Sequence, residues 1–222
     1  MEPLIFHIDV NSAYLSWTST ENVRTGTGPD LRLLPAIIGG DQKNRHGVVL
    51  AKSIPAKAFG IVTGEPVATA FKKCPTLQMA APDHHLYHTY SQRLMTLLES
   101  FCPYLEQLSI DECFLDMGRR GYRREHAQAL AEEIRAEVRK LGFTVNVGIS
   151  SRKVLAKMAS DFQKPDKTHT LFPEEIKEKM WPLSVGELYM AGHSSVTTLH
   201  MLGILTIGDL ARSDRGLIES HL

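Results

Sequence analysis

Three carboxylates give this 222-residue chain its first sign of chemistry. Asp9 follows the apolar run Leu4-Ile5-Phe6-His7-Ile8, and the adjacent pair Asp111 and Glu112 follows Leu108-Ser109-Ile110. Ionised carboxylates are expensive to desolvate and are rarely buried without a partner, so acids placed at strand ends call for a cation. No Cys or His cluster accompanies them at transition-metal spacing. Hard oxygen ligands that leave positions open for water or phosphate suit Mg2+, with Mn2+ as the substitute. The chemistry that most often uses such a site is phosphoryl or nucleotidyl transfer, where two ions about 3.5–4 Å apart hold the attacking and leaving oxygens. Read singly, each motif also has a plainer meaning: Asp111-Glu112 as a solvated turn, and Asp9 as a helix N-cap.

The elements that must position these acids follow from periodicity. In the first run the pleat puts Leu4, Phe6, Ile8 and Val10 on one face and Ile5, His7 and Asp9 on the other. Over 105–114 the same alternation sets Leu108 and Ile110 against Gln107, Ser109 and Asp111, with Asp111-Glu112 at a hairpin tip. Asn11 or Ser12 caps a helix that fades by Gly26-Thr27-Gly28-Pro29. Residues 35–80 change texture. Short strands at 36–38, 48–50 and 78–80 alternate with short helices near 54–59 and 66–73, a small mixed subdomain inserted in a larger one.

From Tyr87 the period is helical: Tyr87, Tyr90, Leu94, Leu97, Leu98 and Phe101 share a face up to Pro103. A second amphipathic helix carries Ala127, Leu130, Ala131, Ile134, Val138 and Leu141 and stops at Gly142. A strand over 144–149 follows, and then a helix capped by Ser150 or Ser151 with Val154, Leu155, Met158, Ala159 and Phe162 inward. With the insert set aside, the order β, α, β, β, α, β predicts an α+β fold, the split βαβ or ferredoxin-like arrangement. Its two central strands would make Asp9 and the Asp111 hairpin neighbours despite their separation in the chain.

With 43% hydrophobic residues the chain can bury a core, and Lys+Arg and Asp+Glu are both 25. No overall basic excess marks an autonomous nucleic-acid binder, so DNA binding requires local clusters. The cysteines Cys74, Cys102 and Cys113 are odd in number and widely spaced, against a disulfide framework or zinc site and in keeping with a reducing compartment. No N-terminal signal pattern and no apolar run of about 18 residues is present, which reads as a cytoplasmic protein without a membrane partner.

Taken together, Phe6-His7-Ile8-Asp9-Val10-Asn11-Ser12-Ala13-Tyr14, Ser109-Ile110-Asp111-Glu112 and Val147-Gly148-Ile149-Ser150 followed by Lys153-Val154-Leu155-Ala156-Lys157 closely resemble the Y-family translesion DNA polymerases, in particular the bacterial DinB/UmuC group. The resemblance spans residues 4–215. It implies a ferredoxin-like palm over 1–11 and 83–171, a fingers domain over 12–82, and a helical thumb over 172–222 with helix-hairpin-helix-like elements. It also implies that Asp9 and Asp111 bridge two Mg2+ ions, that the Val10 carbonyl ligates the nucleotide-side ion, and that Glu112 completes the ion nearest the primer 3′-hydroxyl.

By the same resemblance the Ser12 and Ala13 backbone N–H groups cradle phosphate oxygens, Tyr14 is the steric gate against a ribose 2′-hydroxyl, and Lys164 binds the triphosphate. Ile54 and Lys57 stand where the family has a tyrosine and an arginine on the triphosphate. The hydroxyl donor is lost, and the charge stays without the bidentate fork. Asn11 stands where many relatives carry a second aspartate that is not a core metal ligand. DNA contact is expected from Arg152, Lys153 and Lys157, from Arg119, Arg120, Arg123 and Arg124, and from the thumb turn at Gly192, whose usual Pro-Gly-Ile-Gly pattern is degraded to Ala191-Gly192-His193-Ser194. His84, His85 and His88 read as a polar helix start rather than a metal site.

The expectation is therefore a damage-bypass DNA polymerase core that adds dNTPs to a primed template by two-metal nucleotidyl transfer, with low fidelity implied by the resemblance, working as a monomer. Relatives continue into a basic little-finger domain, and this chain stops at Leu222 near the expected end of the thumb. A fragment or truncated product without the little finger is thus expected, with a sliding clamp or recombinase met through the missing parts of the parent. The rival expectations are a non-catalytic DNA-binding or scaffold relative in a repair complex, and a nucleotide cyclase on a palm-like sheet.

Overall fold

Every residue of β1 (Ile5–Val10) is buried except Asp9, which is half-buried. Burial on both faces marks an interior strand. In the computed structural model, which describes residues 3–40 and 47–222, β1 lies in the middle of a five-stranded sheet ordered β5 (Leu105–Gln107), β6 (Glu112–Asp116), β1, β7 (Val145–Ser150) and β8 (Thr168–Thr170). Without β8 this is the ferredoxin-like order, with helices α4 (His84–Phe101) and α5 (Ala127–Lys140) as the connections. Strand β8 was not anticipated. It runs parallel to β7 with Thr168 opposite Val147, and its three half-buried residues carry no apolar alternation to announce it.

The expected insert is a three-stranded sheet in which β2 (Ala36–Gly39) lies between β3 (Val49–Lys52), antiparallel to it, and β4 (Gln78–Ala80), parallel to it. Helix α2 (Ile54–Ala58) opens on Ser53, whose Oγ accepts from Ala56 N–H at 3.1 Å. Helix α3 (Val67–Lys73) closes over Ile37, Val49, Ile61, Cys74 and Leu77, the core of this subdomain. Residues 41–46 of the expected fingers and the first two residues of the expected palm lie outside the described residues.

By its internal contacts the chain divides into two units, Met1–Ile8 with Phe114–Glu132 and Asn146–Leu222, and Asp9–Cys113 with Glu133–Val145. The second unit is centred on aromatic rings. Trp17 of α1 (Ala13–Thr25) packs against Tyr87, Tyr90 and Phe143 at centroid distances of 6.0, 6.4 and 6.1 Å. Helix α1 ends at Gly26, whose φ of 71° only glycine adopts without cost. At its other end Ser12 holds the N-cap position, but with φ 48° and no side-chain capping bond, so neither expected cap operates as such. The Asn11 side chain instead accepts from Thr144 Oγ1 at 2.8 Å.

In the first unit, α6 (Lys153–Asp161) lies directly on β7, because Gly148 has no Cβ to hold it off. The helix opens at Arg152, not at Ser150 or Ser151. Ser150 belongs to β7, where its hydroxyl donates to the Leu171 carbonyl. With that start, Leu155, Met158 and Ala159 face the core, while Val154, expected inward, is exposed. Helices α7 (His193–Met201), α8 (Ile207–Arg212) and α9 (Arg215–Glu219) follow, with Gly203 at φ 77° making the turn between α7 and α8. All three cysteines are buried and none of them is in a disulfide, and burial pushes the Cys113 thiol well up. Among the described residues no helix is long and apolar enough to cross a membrane.

Candidate active site

One main-chain bond joins the two acidic motifs: Val10 N–H donates to the Asp111 carbonyl at 3.0 Å. It ties the end of β1 to the turn between β5 and β6. That turn is closed by the N–H groups of Leu108 and Ser109, which donate to the Glu112 carbonyl at 3.0 and 3.2 Å. Ser109 Oγ donates to Asp111 Oδ1 at 2.7 Å, and Gln107 Nε2 donates to the Ser109 carbonyl at 2.8 Å. Residues 108–111 are therefore turn rather than strand, and the exposed Leu108 and half-buried Ile110 do not share a sheet face as the alternation predicted. Asp111 ends the turn and Glu112 begins β6.

Asp9, Val10, Asp111 and Glu112 thus stand at one end of neighbouring strands within one unit, with all three acids half-buried. The donors at this end are carboxylates and main-chain carbonyls, a hard-oxygen set that fits Mg2+ or Mn2+ and not a thiophilic ion. Among the described residues no three His, Cys, Asp or Glu side chains form a ready-made metal cluster. Asp9 and Glu112 each engage another group in this structure.

Past Asp9 the chain turns into α1 through the exposed Ser12, so the first N–H groups of that helix, which have no partner within it, open at the same end. Tyr14, in the first turn of α1, is half-buried and lies on the buried Tyr87, with ring centroids 4.3 Å apart and planes 6° from parallel. Sequence periodicity had placed Tyr87 only on a core face. Burial raises the pKa of its hydroxyl, which meets Thr18 Oγ1 at 3.2 Å.

In the insert, Lys57 lies exposed in the last turn of α2, with Ile54 exposed at the start of the same helix. A second amine stands close by. Burial, and then the charge of Lys57, lowers the pKa of Lys52, whose Nζ donates to Thr63 Oγ1 at 3.1 Å. Sequence reading passed over Lys52, although its place on β3 just before the Ser53 cap was a usable signal.

Lys164 and the residues expected to contact DNA belong to the other unit. Arg152, Lys153 and Lys157 occupy the opening turns of α6, with Lys153 Nζ 5.6 Å from the Phe114 ring centroid and Lys157 Nζ 5.1 Å from that of Tyr189. Lys164 follows α6, exposed and paired with Asp161 at 2.9 Å. Gly192 is the exposed N-cap of α7, with open space where a Cβ would point. Arg119, Arg120 and Arg123 are exposed. Arg124 is committed to an ion pair with Glu174 and to the face of Phe172, 3.6 Å from its centroid. His84 packs edge-on against Tyr14 at 6.1 Å, in keeping with a polar helix start.

Comparison with known proteins places these motifs in a shared frame. Residues 8–161 match the model of the impB/mucB/samB family. DNA polymerase IV of Clostridium acetobutylicum is 52% identical over 223 residues, covering 99% of this chain and 56% of that protein. DNA polymerase IV 1 of Bacillus subtilis is 37% identical over 220 residues, covering 99% of this chain and 51% of its own length. The chain thus spans about half the length of these curated relatives. Among solved structures, DinB from Sulfolobus solfataricus superposes with a TM-score of 0.84 at 24% identity over 98% of this chain and 62% of its own. The insertion ternary complex of Dbh DNA polymerase superposes with a TM-score of 0.85 at the same identity and coverage.

Proposed function

The chain belongs to the impB/mucB/samB family of DinB-type Y-family polymerases, and from that premise we propose that it is the catalytic core of a translesion DNA polymerase. In this reading residues 1–11 and 83–171 are the palm, 12–82 the fingers and 172–222 the thumb. The observation that carries it is the bond from Val10 N–H to the Asp111 carbonyl, which sets the acids of two distant motifs at one sheet end. The names of the relatives support the same activity, and nothing in the described residues favours the scaffold alternative.

Asp9, Asp111, Glu112 and the Val10 carbonyl would hold two Mg2+ ions, which supply charge neutralisation at the triphosphate and activation of the primer 3′-hydroxyl. The protein's own groups do the positioning. Ser12 and Ala13 N–H groups bind phosphate oxygens at a helix start. Tyr14 closes the space beneath the sugar, so a ribose 2′-hydroxyl is refused. Lys57 and Lys164 hold triphosphate charge as point cations, without the fork an arginine would bring. Arg152, Lys153 and Lys157 meet backbone phosphates, and Gly192 lets a strand approach main-chain N–H groups.

Single-nucleotide primer extension tests the proposal. With Mg2+ and a primed template the chain should add the complementary dNTP and not the other three, and Asp111→Ala should abolish the addition. Incorporation that survives Asp111→Ala, or that ignores the template base, overturns it.

A further inference from the structure

Asn146 is wholly buried on β7, between the aliphatic Val145 and Val147. A strand position beneath a helix is ordinarily filled by an aliphatic residue, and a buried amide is costly unless its donors and acceptor are all satisfied. Here they are. Nδ2 donates to the Ser160 carbonyl at 2.8 Å and to the Gln163 carbonyl at 2.7 Å, and Oδ1 accepts from Lys167 N–H at 3.2 Å.

These three bonds reach both legs of one turn. Ser160 and Gln163 precede Lys164 in the chain, and Lys167 follows it. The planar amide of Asn146 therefore fixes the two legs relative to each other, and Val147 N–H adds a bond to the Lys167 carbonyl at 2.9 Å. The base of the turn is itself held. Ser160 Oγ donates to the Lys157 carbonyl at 2.7 Å and meets His7 Nδ1 at 2.8 Å. At the tip, Lys164 is exposed and Asp166 takes φ 56°.

We propose that Asn146 is a positioning residue for Lys164: it fixes the turn from which the lysine meets the triphosphate, and so sets nucleotide affinity without touching the nucleotide. The proposal rests on Lys164 being a triphosphate ligand, as in the function proposed above. A valine at this position would keep a β-strand side chain beneath α6 but make none of these bonds, and would leave both legs of the turn untied.

The test is single-turnover incorporation by the full chain on a primed template at varied dNTP, comparing wild type, Asn146→Ala, Asn146→Ser, Lys164→Ala and the Asn146→Ala/Lys164→Ala pair. Asn146→Ala should raise the half-saturating dNTP about tenfold with a maximal rate within about threefold, and the pair should be no weaker than Lys164→Ala alone, as expected of residues acting as one unit. Asn146→Ser, which keeps one hydroxyl donor, should fall between wild type and Asn146→Ala. A lost folded fraction lowers the amplitude and leaves half-saturation unchanged, so a merely structural role is told apart.

Unchanged half-saturation in the folded Asn146 variants, or penalties that multiply in the pair, overturns the proposal while leaving the Lys164 assignment intact. If neither Asn146 variant folds, the residue serves the fold alone and the proposal falls. If Lys164→Ala itself leaves half-saturation unchanged, the triphosphate reading of Lys164 is what fails, and this proposal falls with it.

Discussion

The Tyr14 ring lies flat on the Tyr87 ring, and Thr18 clips the pair from the side, its Oγ1 donating to the Tyr14 carbonyl at 2.8 Å and meeting the Tyr87 hydroxyl at 3.2 Å. Offset-stacked aromatic pairs contribute beyond their area, and here the buried partner fixes the plane of the half-buried one. If Tyr14 gates the sugar, the gate is only as firm as this platform. Tyr14→Ala should raise ribonucleotide incorporation relative to deoxynucleotide by about 10–200-fold, the range for a change of one small group in a pocket. Tyr87→Leu should give a smaller rise, with Tyr14 intact. Competing rNTP and dNTP in primer extension measures both; a Tyr87→Leu ratio equal to wild type would show that the stack does not set the gate.

The all-oxygen donor set at Asp9, Val10, Asp111 and Glu112 leads to a metal prediction. Chelation should stop incorporation, and Mg2+ or Mn2+ should restore it. Glu112→Gln keeps the shape and removes one charge, so the maximal rate should fall by about 10²–10³, the scale of losing one preorganised electrostatic group. Template binding should change little, because the proposed function assigns the DNA-backbone contacts to other residues, Arg152, Lys153 and Lys157. Rapid-quench kinetics beside fluorescence anisotropy on labelled primer–template separates the two effects.

Lys57 and Ile54 lie on one turn of α2, both exposed, where an arginine and a tyrosine are expected from the family pattern. Lys57→Arg adds a planar fork for two phosphate oxygens, and Ile54→Tyr adds a hydroxyl donor. Each should lower the half-saturating dNTP by about two- to tenfold, the worth of one added charge-assisted or neutral hydrogen bond. An unchanged value in the double substitution would mean that Lys52, beside Lys57, already supplies the second contact.

The acid motifs were legible because strand ends and turn chemistry are local. The run into Asp9 and the Ser109 hydroxyl, which bonds Asp111, are both encoded within a few residues. Gly26 and Gly142 stop their helices with positive φ, as glycine placement predicts. Other features depend on contacts that no local pattern carries. β8 exists because β7 offers it a parallel partner. Ser150 looks like a helix cap, but the Leu171 carbonyl takes its hydroxyl and the helix starts two residues later. Tyr87 has the spacing of a core residue, and only α1 packed beside it makes it a platform.

Acid sensitivity should enter through Asp30. The Arg32 guanidinium holds the Asp30 carboxyl below its ordinary 3.8; burial pushes back upward, and the Arg32 main-chain N–H and charge lower it further. A carboxylate lowered on folding contributes stability that is complete above its unfolded value and is lost as pH falls through the folded one. The pair is partly exposed, so the contribution at pH 7 is under about 1 kcal/mol. Arg32 also donates to the Gly142 carbonyl, so protonating Asp30 loosens the hold of this loop on the end of α5. Asp30→Asn should lower Tm slightly at pH 7 and flatten its decline below pH 3.8, as followed by thermal unfolding across pH.

Gly148 and Gly192 separate a glycine required by packing from one that faces open space. A Cβ at Gly148 would stand 1.9 Å from the Ala156 carbonyl oxygen and 2.5 Å from Ser160 N, both main-chain atoms of α6 that no rotamer change can clear. Relief requires lifting the helix from β7, which opens the packing of Leu155, Met158 and Ala159. Gly148→Ala should therefore cost about 3 kcal/mol or more, and lower Tm by about 6–12 °C for a chain of this size. At Gly192 nothing lies within 4 Å of an added Cβ and φ is −74°, so Gly192→Ala meets no clash and should lower Tm by no more than about 1–3 °C, the modest cost of a poorer N-cap. If a DNA strand approaches the α7 N-terminus, that methyl should still weaken binding about two- to fivefold, by keeping phosphate from the N–H groups. Thermal unfolding and anisotropy on the same two variants test the contrast, and a Gly148→Ala protein as stable as wild type would show that α6 does not rest on β7 as described.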